Sequence, residues 1–265
     1  MSTQVVPRTT QSGVRPRERR TALVTGGSRG IGAAIVRRLT DEDTQVAFTY
    51  TSAKEQADTV AEATGALAIQ ADNADHEAVR AAVSRTTQHF CGLDILVNNA
   101  AVTYAAPIED FTLKEFDRII AVNVRGVFSA IQAAAAHLGQ GGRIITGGSV
   151  SADRAPQPGI SVYALTKAAV AGFTRGLARE LGPRGITVNT VQPGPTTHTD
   201  MNPDSGPAAE WMRQLTTVGH YGKPATSPVP SPISPAPKPG SSPAAPGTST
   251  AAPLSDRPPR AAQST

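Results

Sequence analysis

Residues 21–39 constrain the fold more than any other stretch. The run Thr21-Ala22-Leu23-Val24-Thr25 suits a buried strand, and Gly26-Gly27-Ser28-Arg29-Gly30-Ile31-Gly32 follows at once. Ile31, Ile35 and Leu39 then recur at the spacing of one helix face. Strand, glycine-rich turn and helix in this order suit a phosphate-binding loop. The glycines let backbone approach a pyrophosphate, and the helix N-terminus supplies free N–H groups and a positive dipole end. The glycine spacing is T-G-x-x-x-G-x-G, not the commoner G-x-G-x-x-G, and an ordinary glycine-rich turn is the plain alternative.

The chain beyond this unit alternates strands with helices. Strands are predicted at 45–50, 66–71, 93–97, 143–147 and 186–191, and helices at 53–64, 76–90 and 162–181. Thr112-Leu113-Lys114-Glu115 is a capping box that opens a long helix to about Leu138, with Asn123 inside it. This alternation indicates an α/β fold with a Rossmann-type, doubly wound parallel sheet. The second strand ends at Tyr50-Thr51-Ser52 with no acid to hold ribose hydroxyls, whereas Arg29 in the turn can pair with a 2′-phosphate. The expected cofactor is therefore NADP(H) rather than NAD(H). Arg29 as a solvated surface charge is the alternative.

A second cluster lies between residues 149 and 167. Ser149 follows the 143–147 strand, and after a Pro/Gly-punctuated loop Tyr163 and Lys167 stand four apart on one helix face. An ammonium beside a phenol favours the phenolate, so Lys167 is expected to lower the Tyr163 pKa and let it exchange a proton near neutral pH. Y-x-x-x-K alone is a weak signal; the preceding hydroxyl gives it weight. Ser149 as a loop cap, with Ser151 as its nearby rival, and Tyr163 as a packed surface aromatic are the alternatives.

Taken together, T-G-G-S-R-G-I-G, N-N-A, the asparagine of V-N-V, Ser149, Y-x-x-x-K and the P-G after the sixth strand resemble the short-chain dehydrogenase/reductase family. The chain is most similar to its 3-oxoacyl-[acyl-carrier-protein] reductase-like members, over about residues 20–223. The resemblance implies hydride transfer between NADPH and a ketone or alcohol, a 3-oxoacyl or other small carbonyl compound. It places Gly26, Ser28, Arg29, Gly30, Ile31 and Gly32 around the cofactor phosphates and ribose. It sets Thr51 near the 2′-phosphate, Asp72 and Asn73 beside the adenine, and Asn99 and Ala100 along the cleft. Pro193, Gly194 and Thr196 would touch the nicotinamide end. Asn123, Ser149, Tyr163 and Lys167 match the catalytic tetrad. Ser149 would hold the carbonyl oxygen, Tyr163 protonate it, Lys167 bind the nicotinamide ribose, and Asn123 support a water chain for proton resupply. Asn123 satisfying backbone groups at a helix kink is the alternative.

Three departures from the family pattern follow. Ala101 stands where glycine is common, and residues 196–200 run slightly long. The third concerns residues 224–265, which hold 12 of the 22 prolines and whose only large aliphatics are Val229, Ile233 and Leu254. Such a segment buries too little apolar surface to offset its ordering entropy, and prolines so spaced exclude an inner strand. It reads as a disordered or polyproline-like tail, from a shifted reading frame or replaced terminus, in place of the family's last helix and seventh strand. An interaction tail is the alternative. The expected organisation is a basic arm over 1–20, a domain over 21–223 and the tail over 224–265, with the 186–191 strand left as an apolar edge.

Composition narrows the partners. The net charge of +4 is carried by residues 1–20, where Arg8, Arg15, Arg17, Arg19 and Arg20 face one acid, Glu18. The remainder is formally neutral, which argues against a nucleic-acid surface. One cysteine, Cys91, and five histidines without ligand spacing argue against a metal site. No apolar run reaches the roughly 20 residues of a membrane span, and no signal peptide is visible, so a cytoplasmic protein is expected. A homo-oligomer through the 162–181 helix is expected, with a small-molecule carbonyl substrate whose pocket would be lined by residues 101–106, 153–160 and 196–218, mostly loop. Two rivals belong to other classes: a nucleotide-binding protein without turnover, such as one holding a signalling dinucleotide, and a destabilised, inactive remnant.

Overall fold

The computed structural model describes residues 19–197, 199, 201–202, 205–214, 216 and 219–224. The readings of the basic arm up to residue 18, of His198 and Asp200, and of the tail beyond residue 224 lie outside these residues. The strands are β1 (Thr21–Val24), β2 (Gln45–Tyr50), β3 (Leu67–Gln70), β4 (Ile95–Asn98), β5 (Arg143–Gly147) and β6 (Thr187–Val191). All pair in parallel, in the order β3-β2-β1-β4-β5-β6. Among the described residues β6 pairs only with β5.

Side chains alternate across the sheet, and both faces are covered. Leu23, Ala47, Leu96 and Ile144 point to one layer, packed with α3 (His76–Phe90), α5 (Gly126–Ala135) and α6 (Ser161–Leu181). Val24, Val46, Phe48, Val97 and Ile145 point to the other, packed with α1 (Gly30–Asp41) and α2 (Lys54–Thr64). Helix starts follow local chemistry. Asp75 accepts from the Glu77 and Ala78 amides at the start of α3. Thr112 accepts from the Glu115 amide at the start of α4 (Leu113–Ile120), as the capping box predicts.

Two expectations need correction. The single helix predicted from Thr112 to Leu138 is broken into α4 and α5 by a π-helical turn over Ala121–Arg125. The apolar periodicity continues through the turn, so sequence alone does not show it. A short helix, α7 (Pro207–Gln214), also forms within 196–218, which the sequence presents as mostly loop. Strand order reverses between β1 and β4, which opens a crevice at their carboxyl ends, the usual ligand position in such sheets.

Candidate active site

A cleft of about 590 Å³ occupies this crevice. The sequence-selected residues Gly26, Ser28, Arg29, Gly30, Ile31, Gly32, Thr51, Asp72, Asn73, Asn99, Ala100, Ser149, Tyr163, Lys167, Pro193, Gly194 and Thr196 all line it. Asn123 is the exception and stands behind the wall.

The first half is a phosphate cradle. Gly26 adopts φ +67°, and a side-chain carbon on Gly32 would run into the Gly26 carbonyl and the Asn99 amide. Asn99 explains the tightness: its Nδ2 donates to the Gly26 carbonyl at 2.8 Å and to the Thr25 carbonyl at 3.1 Å. The Thr25 hydroxyl in turn accepts from the Asn99 and Ala100 amides at 3.0 and 3.1 Å. Asn99 thus shapes the turn with its side chain. Helix α1 begins at Arg29 without a side-chain cap and without an acid in its first turn. Its first N–H groups and dipole end suit an anion. Arg29 and Thr51 are exposed, and Tyr50 and Ser52 border them. Among the described residues lining the cleft the one carboxylate is Asp72, whose Oδ1 accepts from the Ala74 amide at 2.9 Å. A close-packed turn, an uncapped helix start, a cation and no acid at the end of β2 fit a dinucleotide carrying a 2′-phosphate.

The second half gathers proton-handling groups. Ser149 leads into a 3-10 turn over Val150–Ala152, and its Oγ accepts from the Ser151 amide at 3.1 Å. The same hydroxyl hydrogen-bonds Tyr163, so the cap and the contact with the phenol fall to one residue. On either side of Ser149 the chain is stitched to the end of β6 and the residues after it: the Gly148 amide donates to the Val191 carbonyl at 2.7 Å, and the Val150 amide to the Pro193 carbonyl at 3.2 Å. Gln192, with its amide nitrogen turned toward them, donates to the Ser149 carbonyl at 3.0 Å and to Asp153 at 2.9 Å. Thr196 donates to the Gly194 carbonyl at 3.1 Å, which folds the segment after Pro193 back along the cleft.

Lys167 is buried, and its Nζ donates to the Gly147 carbonyl at 2.7 Å and lies 5.6 Å from the centre of the Tyr163 ring. Burial pushes the Lys167 ammonium down to about 8. Burial also raises the Tyr163 phenol, and the Ser149 hydrogen bond only partly offsets this. This corrects the sequence expectation of a lowered phenol. With the ammonium directed at Gly147 and the phenol desolvated, desolvation outweighs attraction.

Asn123 sits in the π-helical turn. Its Oδ1 accepts from the Val102 amide at 2.9 Å, and its Nδ2 donates to the Val102 carbonyl at 2.9 Å and to Thr166 Oγ1 at 3.2 Å. Thr166 donates to the Tyr163 carbonyl at 2.7 Å. Asn73 takes the Val122 carbonyl that the turn exposes, at 2.7 Å. Both asparagines therefore tie the broken helix to the cleft walls.

Met201, Trp211 and Met212 line the cleft from within 196–218, a stretch expected at the substrate pocket, whereas sequence reasoning did not single out Arg118 and Gly147. Arg118 could have been found from the helix pattern, since it lies on α4 one turn before Val122. No metal-ligating group of three or more His, Cys, Asp or Glu occurs among the described residues. No helix among them is long and apolar enough to cross a membrane.

A short chain dehydrogenase family model matches residues 20–210. A cyclic-di-GMP-binding biofilm dispersal mediator protein of Escherichia coli is 42% identical over 205 residues, covering 77% of this chain and 84% of the relative. A 3-oxoacyl-[acyl-carrier-protein] reductase of Staphylococcus aureus is 42% identical over 182 residues, covering 66% and 74%. Among solved structures, a short chain dehydrogenase from Burkholderia cenocepacia in complex with NADP is 53% identical, with a TM-score of 0.75 over 78% of this chain and 86% of that one.

Proposed function

Because the chain belongs to the short chain dehydrogenase family and is an oxidoreductase of that family, we propose that it reduces a ketone to an alcohol with NADPH. One observation carries this reading: Ser149, Tyr163 and Lys167 meet in the same cleft as an uncapped, glycine-built anion cradle. The cradle and Arg29 hold the dinucleotide, whose 2′-phosphate is read by Arg29 with Thr51 beside it. When bound, it supplies the hydride that reduces the carbonyl carbon.

The chain's own residues handle orientation and the proton. The Ser149 hydroxyl positions the carbonyl oxygen, and the neutral Tyr163 phenol donates its proton to it. A phenol raised by burial stays protonated through the neutral range, the form that reduction needs. Lys167 binds the nicotinamide ribose and, as an ammonium, offsets the charge left on Tyr163. Asn123, with its amide engaged by Val102 and Thr166, acts here as a positioning residue. Asp72 and Asn73 border the adenine, and Pro193, Gly194 and Thr196 border the nicotinamide. The reading extends to 3-oxoacyl and other small carbonyl compounds, as in the S. aureus relative's name. Purified protein oxidising NADPH with members of a panel of β-keto esters and quinones supports it; no consumption with any of them refutes it.

A second reading, a dinucleotide-binding protein without turnover, is favoured by the E. coli relative's cyclic-di-GMP binding and by Arg29 and Arg118 in one cleft. It predicts cyclic-di-GMP binding with no NADPH consumption. We also assign the reaction to residues 21–223, so truncation after residue 225 should leave activity and melting temperature close to those of the full chain. A twofold contact is assigned to α6 with the neighbouring face of α5: Leu165 of α6 is 50% and Phe128 of α5 43% exposed, and Phe128 lines a groove with Ile120, Val124, Ala169 and Phe173. Phe128→Glu should convert a light-scattering dimer into monomer, and an unchanged mass refutes this assignment.

A further inference from the structure

Part of the cleft lining has a chemistry of its own. Val150, Pro156 and Ile160 come from the segment after β5, and Met201, Trp211 and Met212 from the segment after β6. Within 150–160 and 195–212, every described residue that lines the cleft is uncharged. An aromatic or aliphatic flank on the substrate therefore meets matching surface on the described lining residues of these segments.

Helix α7 presents Trp211 from a fastened position. The Thr197 amide donates to the Gly222 carbonyl and the Gly222 amide to the Pro195 carbonyl, both at 3.0 Å, which closes the base of the segment. Tyr221 is buried beneath the helix, its hydroxyl donating to Met212 Sδ at 3.1 Å and to the Ala209 carbonyl at 3.4 Å. The Arg213 guanidinium lies 5.5 Å from the centre of the Tyr221 ring. Trp211 is half-buried at the cleft. An indole offers a broad apolar face for stacking, while the two methionines adapt to irregular shapes.

We infer that Trp211 is a specificity-determining residue that selects ketones bearing an aromatic or bulky apolar substituent, which packs on the indole while the carbonyl reaches Ser149 and Tyr163. This rests on the reductase reading above. The test compares 2-acetylnaphthalene with ethyl acetoacetate in NADPH-dependent reduction by the full chain. Trp211→Ala lowers kcat/KM for the aryl ketone about tenfold or more, leaves ethyl acetoacetate within about threefold, and leaves NADPH affinity unchanged. Trp211→Phe retains the aryl preference, which separates lost stacking from misfolding. Trp211 is also the chain's single tryptophan, so its emission should change when 2-acetylnaphthalene is added to the wild-type NADP+ complex. Equal losses on both ketones, or an unchanged emission, overturn the inference. If the wild type reduces neither ketone nor any member of the panel above, the reductase reading fails on its own, and the emission titration still decides whether Trp211 meets the ketone.

Discussion

Replacing Asn123 by alanine removes three hydrogen bonds and fills nothing in their place. The side chain binds both the amide and the carbonyl of Val102 at 2.9 Å and Thr166 at 3.2 Å. A hydrogen bond of this kind contributes about 1 kcal/mol net, and an orphaned buried group costs about 1–3 kcal/mol. Val102 is only part-buried, so water recovers some of the loss. The expected destabilisation is about 2–4 kcal/mol, read as a lower urea midpoint at unchanged slope. Asn123→Asp should do no better. A carboxylate would face the Val102 carbonyl and a Thr166 oxygen whose proton already goes to the Tyr163 carbonyl. Turnover should fall with stability in both variants, because the same bonds set the Tyr163 turn and the 99–103 wall. An Asn123→Ala protein of wild-type stability with sharply reduced kcat would refute the positioning role and return Asn123 to proton resupply.

Two further perturbations address the cleft. Arg29→Ala should weaken NADPH by about 1.5–3 kcal/mol, the range for a charge-assisted bond, and leave NADH nearly untouched; titration with both cofactors checks it, and equal losses contradict it. Lys167 has its pKa lowered from 10.5 to about 8, so between these values the unfolded chain binds the proton more tightly than the native one. Native stability should therefore rise from pH 8 toward 10 relative to Lys167→Met, by an amount on the order of 2 kcal/mol. Above pH 10 the raised Tyr163 phenol opposes the trend, since the native state then keeps a proton that the unfolded chain releases. Urea midpoints of the two proteins across this range that move in parallel contradict the assignment.

The sheet was legible because its strands are short apolar runs bounded by turns, and because residues that must meet a ligand at strand ends follow those runs directly. Gly26 and Gly32 could be read for the same reason: at those positions only backbone fits. The π-helical turn at Ala121–Arg125 was not legible, since Val122 and Val124 continue an ordinary helical pattern. Its stabilising bonds come from Asn73 and Val102, residues distant in sequence. The Tyr163 shift was misjudged because Y-x-x-x-K shows proximity but not burial, and burial decides the sign. Trp211 falls in the 196–218 stretch expected at the pocket, but its helix was not legible, because that segment lacks clear periodicity and its helix is fastened by Tyr221 through Ala209 and Met212.

The most direct test of the account is single-turnover reduction by Tyr163→Phe. The variant keeps the ring and loses only the hydroxyl that Ser149 engages, so NADPH should bind within about twofold of wild type. Hydride transfer, followed as loss of NADPH absorbance with a ketone that the wild type reduces, should fall about 10²–10⁴-fold, the usual contribution of a positioned proton donor. Turnover within tenfold of wild type, with binding unchanged, would contradict the assignment of Tyr163 as the proton donor.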